Sequence, residues 1–330
     1  MSDPNPLSIA ICIVIPVYNE EEMLPVFHAM LCEAVGSLPH TFTFLYINDG
    51  STDHTDRVLD QLTADDNRVQ VVELSRNFGH QAALTAGLDR ADGDLIITMD
   101  CDGQHPPSMI PEMISLANLG YDIVITQRQE PQSLSLLKRL SSDLFYRLIN
   151  WIGDTQILPG SADFRLMSRT AVLALCSMRE YNRFLRGMVS WMGFRTVILP
   201  YQQPPRLAGA SKYSARKMFR LAANAIFSFS LVPLYISLSL GGIFLVLALA
   251  QALWVFSLWL RGANEQLVPG WSSLMFVLLI VGGILMIAIG LAGIYIGYIF
   301  QEIKGRPVYL VRQEAKKPAP ENETKKEQHG

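Results

Sequence analysis

Residues 9–18 read IAICIVIPVY, apolar at nearly every position and rich in Ile and Val. An unbroken run of this kind predicts a strand buried on both faces, not a half-buried one. It closes at Pro16 and Asn19, and Glu20-Glu21-Glu22 follows, where acids favour the opening of a helix. The alternation then repeats. Strands are expected at Thr41–Asn48, Val69–Leu74, Asp94–Met99 and Tyr121–Thr126, and helices at Asp53–Ala64, Gly79–Ala91 and Pro107–Leu119. Strands alternating with helices predict an α/β domain with a mainly parallel sheet covered on both faces. Ligands of such sheets sit beyond the carboxyl ends of the strands. Polar clusters fall at those places: Tyr18-Asn19-Glu20, Asn48-Asp49-Gly50-Ser51, Ser75-Arg76-Asn77 and Asp100-Cys101-Asp102.

The pattern changes in the last third. Leu221–Leu260 and Gln266–Gln301 contain no charged residue, and each run exceeds the roughly 20 residues that cross a bilayer core. Two membrane spans are expected, near Val232–Leu260 and Ser272–Phe300, joined by the short loop 261–270. Lys212, Arg216, Lys217 and Arg220 precede the first span, and Lys304, Arg306 and Arg312 follow the second. Positive residues mark the cytoplasmic side, so both termini and the α/β domain are expected there. Tyr213–Ser230 reads as an amphipathic helix lying on that face, or as an extension of the first span. The expected organisation is therefore a domain over 1–212, an interface helix over 213–230, two spans within 231–303, and a largely disordered tail over 304–330.

Charge sharpens the division. Half of the residues are apolar and 17% are charged, against about 25% charged in a typical soluble domain. The net charge of -3 hides two opposed halves: residues 1–180 hold 11 basic and 24 acidic residues, and residues 181–330 hold 16 and 6. No acid lies between Tyr181 and Asn264, a stretch with nine basic residues, so the back half is suited to lipid phosphate. The four cysteines form no C-x-x-C pair, which argues against a disulfide scaffold or a cysteine zinc site.

The candidate chemistry sits at the strand ends. Asp100 and Asp102, two carboxylates at i and i+2 with the Gln104 amide at i+4, suit a hard divalent cation, Mg²⁺ or Mn²⁺; the same residues also suit a plain turn. Asp49 can accept from a nucleobase or a ribose, because it precedes the expected helix caps Ser51 and Asp53 and is freer than they are. Arg76 can meet a phosphate or an internal acid. Asp163 beside Arg165 reads as a structural ion pair or a catalytic carboxylate. Arg183, Arg186, Arg206 and Lys212 supply cations for an anion at the membrane surface.

Five segments occur together and in order: Pro16-Val17-Tyr18-Asn19-Glu20, Asn48-Asp49-Gly50-Ser51, Asp100-x-Asp102-Gly-Gln104-His-Pro-Pro107, Ala162-Asp163-Phe164-Arg165 and Arg206-x-x-Gly-x-Ser-Lys212-Tyr213. Together they resemble the polyisoprenyl-phosphate glycosyltransferases of GT-A fold, relatives of dolichyl-phosphate mannose synthase. The likeness is closest to the bacterial undecaprenyl-phosphate glucosyltransferase branch, which has two carboxy-terminal spans. The resemblance implies inverting transfer of one sugar, glucose first, from a nucleotide donor, UDP first, to a polyprenyl phosphate at a bacterial inner membrane. GDP-mannose is the alternative donor, and some relatives form homotetramers. It also implies Pro16, Tyr18, Glu20 and Asp49 around the nucleoside and Asp100, Asp102 and Gln104 around the metal and diphosphate; Arg76, with Asp100, is counted among the candidate nucleotide-binding residues. Asp163 takes the catalytic-base position, and Arg206 and Lys212 take phosphate-binding ones; Arg128 is a further phosphate candidate, matching the first of two arginines that relatives often carry, where Gln129–Leu136 has no second. A processive polysaccharide synthase would carry a Gln-x-x-Arg-Trp motif and more spans, and a non-catalytic lipid-sugar binding protein would have no need of the Asp100/Asp102/Gln104 set.

Overall fold

Ala10–Val17 forms the central strand β1 in the computed structural model, which describes residues 8–129, 160–181, 183–202, 232–261 and 270–314. It pairs in parallel with β2 (Thr41–Asn48) on one side and β4 (Leu95–Thr98) on the other. The further strands are β3 (Val69–Leu74), β5 (Ile123–Arg128), β6 (Ser161–Ser168), β7 (Thr196–Tyr201) and β8 (Val311–Glu314). The eight strands lie in the order β7-β5-β6-β4-β1-β2-β3-β8. Two of them run against the rest: β6 is antiparallel to β4 and β5, and β8 is antiparallel to β3. The mainly parallel α/β sheet expected from the alternation is present.

Side-chain alternation explains why β1 reads as continuously apolar. Ile11, Ile13 and Ile15 join Leu24, Phe27 and Leu31 of α1 (Leu24–Val35) and Ile110, Met113 and Ile114 of α4 (Ile110–Asn118) in the main core. Successive strand residues point to opposite faces, so Cys12 and Val14 face the other layer, built by α3 (His80–Leu88). Every α3 residue from Ala82 to Leu88 is buried. A short helix with no polar face can sit only between sheet and further structure. Helix α2 (Thr55–Asp65) flanks β2 and β3; α5 (Arg169–Ser177) and α6 (Leu185–Trp191) follow β6.

Two expected helix starts are corrected. Helix α1 begins at Leu24 and has no acid in its first turn. Glu20 instead ends the loop with its carbonyl, which accepts from the Met23 and Leu24 amides at 3.1 and 3.0 Å. Neither Ser51 nor Asp53 is the α2 cap, a place taken by His54. Ser51 Oγ accepts from the Asn19 amide at 3.1 Å, and Asp53 Oδ1 accepts from the Thr55 amide at 3.1 Å. Ser51 thus joins two loops, whereas Asp53 receives the first amide of α2 from one position ahead of the cap.

The chain divides into two compact units. One holds the sheet with its helices and takes in the chain again from Pro307. The expected tail over 304–330 is therefore corrected at its start: Val311–Glu314 is β8, added to the open edge of β3. Ser75 donates its amide to the Leu310 carbonyl at 2.8 Å, and Tyr309 donates its hydroxyl to Asp89 at 2.9 Å while its ring lies under the Arg90 guanidinium. Four residues are too short to announce a strand; the unpaired edge of β3 recruits them.

The other unit holds α7 (Val232–Leu260) and α8 (Trp271–Ile303). Leu238, Val246, Leu253 and Trp254 of α7 and Met286, Ile287, Ile296 and Phe300 of α8 are exposed, an apolar surface beyond what a water-soluble unit carries. Among the described residues, Ile280–Ile303 is long and apolar enough to cross a membrane. The expected interface helix 213–230, most of the loop 261–270, and Arg206 and Lys212 lie outside the described residues.

Gly87 shows how tightly α3 meets the sheet, since a Cβ there would lie 2.2 Å from Val14 Cγ1 and 3.1 Å from Ile47 Cγ1. Gly87→Ala is expected to destabilise the protein by about 1–3 kcal/mol through overpacking, read as a lowered midpoint of thermal or denaturant unfolding.

Candidate active site

The direction of β6 assembles the site. Because β6 runs against β4 and β5, its first residues lie where those strands end, and Asp163 is brought to the same edge as Asp100. Two hydroxyls hold the strand in register: Thr98 Oγ1 donates to the Asp163 carbonyl at 2.6 Å, and Thr126 Oγ1 donates to the Phe164 carbonyl at 2.7 Å.

Asp163 is 3% exposed and surrounded by cationic groups. Arg165 Nη2 donates to Oδ1 at 2.6 Å. Arg186 grips both oxygens, Nε on Oδ1 at 3.1 Å and Nη2 on Oδ2 at 2.8 Å. His80 Nε2 lies 3.3 Å from Oδ2. Burial alone would raise this carboxyl's pKa, but Arg186, His80 and Arg165 reverse that and hold it well below the ordinary carboxylate range. His80 also lies 3.7 Å from Asp100 Oδ1. Partial loss of solvent works against the His80 cation, and Asp100 and then Asp163 overcome it, raising its pKa to about 9.

Asp100 and Asp102 stand at the β4 end, with Cys101 buried between them. Asp100 Oδ1 is a buried oxygen with no hydrogen-bond partner. Asp102 Oδ1 accepts from the Gln104 amide at 3.0 Å, and the Gln104 side chain is buried. An orphaned carboxylate oxygen beside a second carboxylate, fixed in a short turn, fits a hard divalent cation with oxygen ligands. His105 supports the turn from below: its Nδ1 accepts from the Asp100 amide at 2.9 Å and its ring stacks on Phe164. Burial lowers its pKa, in keeping with a neutral ring that accepts at Nδ1.

The two loops after β1 and β2 are stapled together. Asn19, at φ 55, accepts from the Thr52 amide at 2.8 Å, Glu20 donates its amide to Thr55 Oγ1 at 3.0 Å, and Glu21 accepts from the His54 amide at 2.9 Å. Tyr18 is exposed beside them, whereas Pro16 is buried inside β1. The expectation that Asp49 is the freer acid is corrected: its Oδ1 and Oδ2 accept from the Phe78 and Gly79 amides at 2.7 and 2.9 Å. Those amides partly offset the burial that raises its pKa. Arg76 packs its guanidinium over the Phe78 ring.

The expected phosphate cations are distributed unevenly. Arg186 is at the site. Arg128 ends β5 and donates from Nε to Tyr201 Oη at 3.4 Å. Arg183 is corrected, because it turns inward: 8% exposed, it donates to the Met178 carbonyl at 2.6 Å. His80 was missed by the sequence reading, although it stands one residue beyond Gly79 at the β3 end, just past the cluster Ser75-Arg76-Asn77. Arg165 was recognised only as a neighbour of Asp163, and its burial as the inner counterion depends on a strand the alternation did not show.

The mainly parallel sheet that carries this edge belongs to a glycosyltransferase domain. Residues 12–175 match Glycosyl transferase family 2. The chain is 37% identical over 303 residues to the bactoprenol glucosyl transferase of Shigella phage SfII, covering 92% of this chain and 97% of that one. It is 38% identical over 303 residues to a prophage bactoprenol glucosyl transferase homolog of Escherichia coli K12, covering 92% and 98%. Mannosyl-3-phosphoglycerate synthase from Rubrobacter xylanophilus matches in structure with TM-score 0.44 at 16% identity, over 66% of this chain and 72% of that one. The chain belongs to glycosyltransferase family 2 and is a transferase enzyme.

Two substitutions separate buried from open charge. Asp163→Ala strands the Arg165 guanidinium, itself 4% exposed, and is expected to cost about 3–5 kcal/mol of stability. Arg186→Ala removes a side chain that is 37% exposed and is expected to cost no more than about 1 kcal/mol. Denaturant unfolding of the two variants measures the difference.

Proposed function

We propose that this enzyme transfers one glucosyl unit, with inversion, from UDP-glucose to undecaprenyl phosphate at the cytoplasmic face of a bacterial inner membrane, releasing UDP. The observation that carries this reading is the meeting of Asp100, Asp163, His80 and Arg186 at one sheet edge, in a chain that continues into long apolar helices. The names of the Shigella phage and Escherichia coli relatives support a polyprenyl acceptor and glucose.

Chain connectivity supports two crossings. The unit holding α7 and α8 is inserted between two segments that both belong to the sheet unit. A chain that crosses a bilayer and then rejoins the same domain crosses it an even number of times, so in this reading α8 has α7 as its partner span and both ends of the pair are cytoplasmic. Arg206 and Lys212, just ahead of the hairpin in sequence, and Arg128 add cations for the acceptor phosphate. Assembly as a homo-oligomer, a tetramer by resemblance, belongs to the same reading.

The chain's own residues divide the work. Tyr18, Glu20, Asp49 and Arg76 belong to the loops that receive the nucleoside, with Pro16 behind them; Asp49 does so by fixing Phe78 and Gly79. Asp100, Asp102 and Gln104 would hold Mg²⁺ or Mn²⁺, which when bound supplies positive charge for the departing diphosphate. Holding the acceptor phosphate and the nucleotide sugar in one complex removes much of the entropic barrier to their reaction.

Asp163 acts as a positioning residue, not as a base. A phosphate monoester loses its second proton near pH 6, so the nucleophile is already ionised at neutral pH. A carboxyl held well below its ordinary pKa is in any case a poor proton acceptor. Its lowered pKa contributes stability that is present above the unfolded value of about 3.9 and is lost as pH falls through the folded value. Its charge is therefore constant between about pH 6 and 8.

Membranes containing the protein, given labelled UDP-glucose and undecaprenyl phosphate, are expected to place label in the extracted lipid. Chelation of divalent cations and Asp100→Ala should each abolish it. Label from GDP-mannose alone would reassign the donor, and no lipid label with either donor would overturn the reading. Asp163→Asn should lower kcat throughout about pH 6–8, with the loss deepening toward pH 8 as His80, whose raised pKa Asp163 helps to sustain, gives up its proton. Loss confined to one limb of that profile would restore the base role.

A further inference from the structure

We infer that His80 and Arg186 form a two-donor seat for a substrate phosphate, a seat that the Asp163 carboxylate occupies and pre-shapes. The inference rests on the transfer reaction proposed above and adds His80 to its binding residues.

The geometry separates the partners of Asp163 into permanent and exchangeable ones. Arg165 is 4% exposed, bonds Oδ1 at 2.6 Å and also approaches the Ala162 carbonyl at 3.4 Å, so it is fixed within the domain. Arg186 and His80 approach from the open side, with side chains 37% and 43% exposed. Arg186 presents Nε and Nη2 as a fork across the two carboxylate oxygens, and His80 Nε2 points at Oδ2 beside it. A fork of this shape fits two oxygens of a phosphate as well as two of a carboxylate. When a phosphate takes those donors, Arg165 still pairs with Asp163, so no buried charge is left alone.

His80 is aimed by structure that its ring does not share. Asp49 pins the Phe78 and Gly79 amides, Gly79 turns at φ 99, a conformation other residues rarely adopt, and α3 is buried from Ala82 to Leu88. The first residue of a locked helix thus carries an open imidazole that packs no core. Its reach to both Asp163 and Asp100 places it between the acceptor side and the donor side of the site. The phosphate it meets comes from the polyprenyl phosphate or from the donor diphosphate, and the two sources separate in kinetics.

Steady-state rates of the full-length protein in detergent or lipid discs test this with His80→Ala, His80→Gln and Arg186→Ala. His80→Ala is expected to raise KM for one phosphate substrate by about tenfold or more, the scale of one hydrogen bond to a charged group, with a smaller change in kcat. His80→Gln, which keeps an N–H donor, should recover most of that loss. A rise in KM for polyprenyl phosphate assigns the seat to the acceptor, and a rise in KM for UDP-glucose assigns it to the donor. Unchanged KM for both, or a loss in kcat that is equal in His80→Ala and His80→Gln, overturns the inference. Should the wild-type protein transfer no sugar, the transfer reading fails, and calorimetric titration with inorganic phosphate and pyrophosphate decides the seat by itself. Weaker binding of either anion by His80→Ala and Arg186→Ala than by wild type upholds it. Equal binding, or none by wild type, rejects it.

Discussion

Asp163 is an ionised group that the fold takes almost wholly out of water, and much of the site's arrangement follows from keeping it neutralised. A buried carboxylate without partners would protonate or force the structure open. Here β6 supplies Arg165 two residues along the same strand, α6 supplies Arg186, and the start of α3 supplies His80. Three separate elements are thereby tied to one pair of oxygens. That convergence works only because β6 enters the sheet antiparallel to β4 and β5, so that its beginning coincides with their ends.

The same arrangement connects stability with chemistry. The inner counterion, Arg165, balances the burial of Asp163, which leaves the outer pair, Arg186 and His80, facing the cleft. Asp100, with its unpartnered oxygen, stands on the other side of His80. A group able to receive a metal and a group able to receive a phosphate are thus separated by one imidazole. Further along the edge, the loops after β1 and β2 are cross-linked by their own amides and hydroxyls, and Asp49 fastens the loop after β3. The edge is therefore held in shape by hydrogen bonds within the protein, which suits a site that must align two charged substrates.

Much of this was legible in the sequence, and the gaps have physical causes. The parallel strands β1 to β5 announced themselves because strands buried on both faces are continuously apolar. The clusters at their ends were legible because polarity returns where a buried strand reaches the surface, although several of these residues serve the turns themselves. Strand β6 was not: it carries Asp163 and Arg165 inside the sheet, and an ion pair within a strand breaks the apolar pattern that identifies one. Helix starts were misplaced because Ser51 is drawn to the Asn19 amide, a tertiary contact, while Glu20 and Asp53 bond residues a few positions on and sit just ahead of the helices they were expected to open. Arg183 and Arg186 are three residues apart and look alike in sequence, yet one faces a carbonyl and the other the cleft, since α6 begins between them. Strand β8 was hidden because its partner edge lies more than two hundred residues earlier in the chain.

The proposed transfer is a single displacement at the sugar carbon by an already ionised phosphate, with no carboxylate of the chain acting as nucleophile. Nuclear magnetic resonance of the lipid product formed from α-linked UDP-glucose reads this directly through the anomeric configuration. The β-linked phosphate product is the predicted result. An α-linked product would mean retention, require a different arrangement of the reacting groups, and contradict the role assigned here to Asp163.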